Sequence, residues 1–120
     1  GGDAVREYLT RFARAYYAPL AVKVKKEGLS ALREHIEGVY KAEKALECVR
    51  CTQSEGSLSV KVFACPGVKY IRETGNDPTK WYIEGTDTIN RVLADMCGLR
   101  FELYAYEEKT GAAEYAFIIP

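Results

Sequence analysis

The stretch VFACPGVKYIRETGNDP, residues 62–78, places Cys65 where an apolar strand-like run ends and a helix begins, with Pro66 directly behind it. A thiol in that position meets the unsatisfied amides and positive dipole end of the helix, which favour thiolate and would make it a nucleophile. The opposing expectation is a small residue buried where strand meets helix, inert because its surroundings are apolar and no base is near. Cys65 is the candidate catalytic residue, and both readings are open from the residues alone.

The remaining cysteines are Cys48, Cys51 and Cys97. Cys48 and Cys51 are formally C-x-x-C, yet no second such pair follows and the spacing to Cys65 and Cys97 matches no common zinc pattern. On a strand, side chains three residues apart point to opposite faces and cannot chelate one ion. Plain buried cysteines are therefore expected, with no metal site. The single histidine, His35, lies beside Leu32, Ile36 and Val39 on a helix, where a partly buried role is the simpler expectation than catalysis. Glu107 and Glu108 flank a hairpin turn, where solvated carboxylates are commoner than a general acid and base. No phosphate-binding glycine loop, nucleophile elbow or H-E-x-x-H is present, and no cofactor is expected.

Aromatic residues offer a second kind of site. The chain has nine tyrosines and one tryptophan, among them Tyr70, Trp81, Tyr82, Tyr104 and Tyr106, the candidate binding residues. Alternation along RFELYAY assigns Phe101, Leu103 and Ala105 to one face and Glu102, Tyr104 and Tyr106 to the other. Tyrosine joins an apolar body to a hydroxyl, which suits a ligand pocket or a protein interface. The plainer expectation is that these rings cover the outer face of a sheet or contact the N-terminal helices.

The elements that must position these residues follow from periodicity. Val5, Leu9, Phe12, Tyr16 and Leu20 recur at helical spacing, so a helix runs from Asp3 to about Tyr17, where Pro19 kinks or ends it. Its continuation reaches a stop at Gly28. A second helix, with Ser30 as N-cap, carries Leu32, Ile36, Val39, Tyr40 and Leu46 on one side. Two strand signals follow, ECVRCTQ and SLSVKVFA, joined by a turn in which Gly56 supplies permissive backbone. In the second, Leu58, Val60, Val62 and Ala64 face one way, while Phe63 and Cys65 fall on the opposite, polar and aromatic side. After Cys65 a short helix with Val68, Tyr70 and Ile71 ends at Gly75. Thr86 or Asp87 caps a further helix closed by Gly98, and a final hairpin turns through Lys109, Thr110 and Gly111. The fold class expected is α+β: N-terminal helices followed by β-β-α-α-β-β, a mostly antiparallel four-stranded sheet with helices packed on one face. The chain reads as a single domain over residues 1–120, with a helical part at 1–46 and a hairpin-helices-hairpin part at 47–120.

Composition narrows the function classes. Lys plus Arg and Asp plus Glu are 17 each, so no global field draws nucleic acid or an anionic membrane. No apolar window approaches the roughly 20 residues that span a bilayer, and the N-terminus lacks a signal-peptide pattern. A soluble, cytoplasmic protein is expected, with no nucleic-acid and no membrane partner. The chain starts GGDAV without Met, which leaves open that it is a piece of a longer protein.

A CP pair after an apolar strand, a short helix ended by Gly, a later helix and the run MCGLRF, all behind N-terminal helices, resemble the L-2-amino-thiazoline-4-carboxylic acid hydrolase family. The likeness covers residues 58–103, and Cys65 and Cys97 are the positions that carry across. The stretch between Trp81 and Asp87 contains no cysteine and does not clearly show the cysteine and acid that family carries. The resemblance implies an α+β domain that handles a small amino-acid-like molecule and opens a ring by hydrolysis, with Cys65 as nucleophile. Beside that stands a small-molecule-binding or interaction domain using the tyrosine face, with a small organic ligand, a second copy or a neighbouring domain as partner.

Overall fold

The computed structural model describes residues 2–64 and 85–120. Helix α1 (Gly2–Tyr16) gives way at Tyr17 to helix α2 (Ala18–Glu27). Pro19 has no amide to donate, so it sits in the first turn of α2, where a donor has no partner to lose. Gly28, at φ 86°, is both the end of α2 and the entry to helix α3 (Leu29–Ala42). That positive φ is the left-handed region glycine enters without strain. Ser30 is therefore not the N-cap expected from sequence: Gly28 takes that place, and the Ser30 hydroxyl accepts a hydrogen bond from Gln53 Nε2 at 3.1 Å. The helix also stops short of Leu46, because Lys44 turns the chain at φ 57° and Leu46–Cys48 forms a 3-10 turn.

Strands β1 (Val49–Gln53) and β2 (Ser57–Val62) form the first hairpin. Gly56 is not at positive φ. Instead the Ser54 amide donates to the Ser57 carbonyl at 2.9 Å, and the two hydroxyls lie 3.0 Å apart, so the serines hold the turn. A single π-helical turn (Gly85–Ile89) leads into helix α4 (Asn90–Cys97). Neither Thr86 nor Asp87 caps it with a side chain; Asp87 instead accepts from Arg91 Nε at 2.7 Å. Gly98, left-handed at φ 72°, closes α4 as expected. Strands β3 (Arg100–Tyr106) and β4 (Ala113–Ile118) complete the sheet. The short helix expected after Cys65 lies outside the described residues.

The architecture is α+β, a four-stranded antiparallel sheet in the order β1-β2-β4-β3, so the two hairpins join through β2 and β4. Alternation in β2 decides which side is covered: Leu58, Val60 and Val62 are buried, Ser59 and Lys61 exposed. The buried set meets Ala21, Val24, Leu32 and Ile36 of α2 and α3 and Leu93 and Cys97 of α4. Phe117 is completely buried, with Phe101 and Tyr115 at ring separations of 5.4 and 5.9 Å. Burying such a side chain stabilises the fold by about 1.5–3 kcal/mol. Among the described helices none is long and apolar enough to cross a membrane.

Candidate functional site

The helices take one face of the sheet and leave Arg50, Thr52, Ser59, Lys61, Phe63 and Glu114 exposed on the other. Adjacent strands bring these side chains together, because Arg50 pairs with Lys61 and Lys61 with Glu114 across the register. Phe63 remains 43 % exposed, with the Arg50 guanidinium 5.3 Å and the Lys61 ammonium 5.4 Å from its ring centre. Both cations are held by the electron-rich face of the ring. Lys61 also pairs with Glu114 at 3.3 Å. A hollow of about 360 Å³ lies over this row, walled by Arg50, Lys61, Tyr104 and Glu114 and floored by Ser59 and Tyr115. A second, of about 410 Å³, opens beside Phe63 and Ala105. The surface can hold a planar group against Phe63 or Tyr104 and meet negative charge with Arg50 and Lys61.

Two of the five expected binding residues lie in the described chain, and they do not share a face. The pairing of β3 with β4 slips between Leu103 and Ala105, so Tyr104 is an extra residue, a β-bulge. Beyond it the alternation reverses. Tyr104 is 62 % exposed at the open hollow, whereas Tyr106 pairs with Ala113 and packs against the core. The expectation that Tyr104 and Tyr106 project together is corrected by that one residue, and Ala105 takes the open side opposite Glu114. Tyr70, Trp81 and Tyr82 lie outside the described residues, as does Cys65. Phe63 was legible in the sequence from the alternation of β2. The basic pair was not, because Arg50 becomes its neighbour only through the hairpin register.

Cys51, Cys97 and His35 have the environments of packed residues. Cys51 is buried on β1, and its pKa is pushed from 9.0 up to about 11, first by burial and then by the charge of Glu37, with Arg33 opposing. Cys97 is buried on α4 and its pKa is raised by burial, with Lys25 pulling the other way. Both thiols stay protonated near neutral pH, the reverse of what a nucleophile needs. His35 lies edge-on to Tyr17, the ring centres 5.7 Å apart, and burial lowers its pKa. No group of three or more His, Cys, Asp or Glu among the described residues could hold a metal ion.

A larger groove, about 770 Å³, runs between α3 and the edge of β1 that no described strand pairs, with Ser30, Arg33, Glu37 and Lys41 on its helical wall and Val49 and Gln53 on the strand. No family model matches this chain, and no curated protein or solved structure matches it.

Proposed function

We propose that this chain is a non-catalytic binding domain whose working surface is the helix-free face of its sheet. The ligand it suits is a small molecule or protein side chain that joins a planar apolar surface to a negative charge. The observation that carries this is Phe63, held in the open beside Arg50 and Lys61 rather than buried. Exposed aromatic surface next to cations offers stacking and charge recognition at one place. Tyr104 supplies a second ring in the neighbouring hollow, which shares Lys61 and Glu114 with the one beside Phe63.

Titration calorimetry with indole-3-acetate and with benzamide tests the reading. The acid is expected to bind with a Kd on the order of millimolar, typical of a fragment of that size. Benzamide, which lacks the charge, should bind several-fold more weakly, and Lys61→Ala or Arg50→Ala should weaken the acid to a similar degree. Equal affinity for both compounds, or binding indifferent to both substitutions, would contradict it.

A cysteine-dependent hydrolase would have to act through Cys65, because Cys97, the other cysteine of the family resemblance, is buried with a raised pKa. Alkylation of Cys65 followed against pH separates the readings. A midpoint well below the roughly 8.5 of a free thiol would favour the hydrolase.

A further inference from the structure

The two edges of the sheet are finished differently. On β3 the ladder is interrupted by the Tyr104 bulge, and Arg91 Nη1 donates to the Phe101 carbonyl at 3.4 Å. Bulges and side chains that occupy edge carbonyls are the usual means of preventing further strand pairing. β1 has neither. Its register with β2 is uninterrupted from Val49 to Gln53, and it contains no proline.

Which main-chain groups β1 presents follows from the ladder. Phe63 N–H donates to Cys48 C=O and Ser54 N–H to Ser57 C=O, so the hydrogen-bonded positions of this strand are the even-numbered ones. Val49, Cys51 and Gln53 therefore turn their amides and carbonyls away from β2. The Val49 amide is taken by the Leu46 carbonyl. What remains facing outward is the Val49 carbonyl and both main-chain groups of Cys51 and of Gln53.

Apart from the Gln53 carbonyl, this set is complementary to itself. We infer that β1 pairs antiparallel with β1 of a second copy of this chain, about a two-fold axis through Cys51, to make one continuous sheet. Cys51 N–H then meets the second copy's Cys51 C=O, and Gln53 N–H meets the second copy's Val49 C=O, each bond made twice by the symmetry. The occupied Val49 amide is the one donor left out, and the second copy's Gln53 carbonyl opposite it stays open to water. On the open face Arg50 falls opposite the second copy's Thr52, so no like charges oppose.

The helical layer agrees with the same axis. α3 runs antiparallel to β1, since Ser30 is bonded to Gln53 at one end while Arg33 and Glu37 act on Cys51 near the middle. A two-fold through Cys51 consequently sets the two α3 helices antiparallel, with Arg33 of each opposite Glu37 of the other. These residues already pair within the helix at 3.5 Å and line the open groove. At Gly38 nothing lies within 4 Å of where a Cβ would stand, which leaves a flat place for the facing helix. Isologous contacts of this kind close on themselves and produce a dimer rather than a fibre. The inference stands apart from the ligand proposal, although it would bring the open faces of two sheets side by side.

Sedimentation velocity over a concentration series is the test. The expected result is a dimer of twice the 13.4 kDa chain mass. Gln53→Pro removes an outward amide without touching the β1–β2 ladder, and should raise the dimer dissociation constant at least about tenfold. Its far-UV circular dichroism and melting curve confirm that the monomer is folded. Arg33→Glu sets acids against Glu37 of the second copy and should weaken the dimer, and adding Glu37→Arg should restore it. A chain that stays monomeric at about 100 µM, where a dimer of roughly micromolar Kd would be almost fully formed, overturns the inference. So does a dimer that survives both Gln53→Pro and Arg33→Glu, since its contact would lie elsewhere.

Discussion

His35 and Cys51 are shifted by the same cause, burial, and leave opposite marks on stability. The native state holds His35 neutral at a pH where the unfolded chain begins to protonate it. Its share of stability is therefore present above pH 6.5 and lost as the pH falls below that value. Cys51 works the other way. Its native pKa is raised from 9.0 to about 11, so the folded state keeps a proton that the unfolded chain has released, and stability falls as pH rises through 9 to 11. Urea midpoints measured between pH 5 and 11 should fall at both ends. In Cys51→Ala the alkaline fall becomes shallower, with Cys97 still contributing to it; an unchanged alkaline slope would show that the thiol of Cys51 is not the source. Arg50, Lys61 and Phe63 belong to this scale as well, since each is an ordinary surface residue until the hairpin register groups them.

Among the elements, β3 determines what the open face can present. Because Tyr104 is the extra residue, removing it should reconnect Leu103 and Ala105 in the register they already keep with Tyr115 and Glu114. Deletion of Tyr104 is expected to leave a folded protein within about 1 kcal/mol of the parent, read from urea unfolding, since neither neighbour changes face. Loss of the folded state would show that the bulge is required for the hairpin. The same bulge marks the boundary of what was legible in the sequence. Period-two patterning in SLSVKV and helical spacing in α1 and α3 are local properties, and they led to the right elements and to the covered face of β2. A bulge is a property of two strands together, so one strand read by itself put Tyr106 with Tyr104. Ser30 failed as an N-cap for a related reason: Gly28, at φ 86°, could enter α3 directly, and the hydroxyl was left for Gln53, which is distant in sequence. The order β1-β2-β4-β3 was likewise beyond local patterning, because it depends on which hairpin edges meet.

At the scale of the whole molecule, a sheet covered on one side, with one edge interrupted and the other regular, offers two surfaces of different character. The regular edge presents main-chain groups, which suit another strand. The open face presents Phe63 beside two cations, with Tyr104 in the neighbouring hollow and Glu114 on Lys61. This arrangement is the basis of the binding-domain proposal, and amide chemical-shift mapping tests it most directly. Indole-3-acetate added to ¹⁵N-labelled protein should move the resonances of Arg50, Ser59, Lys61, Phe63, Tyr104 and Glu114 in a saturable way, leaving α1 and α2 unmoved. Saturable shifts confined to the helices, or no shifts at millimolar ligand, would contradict it.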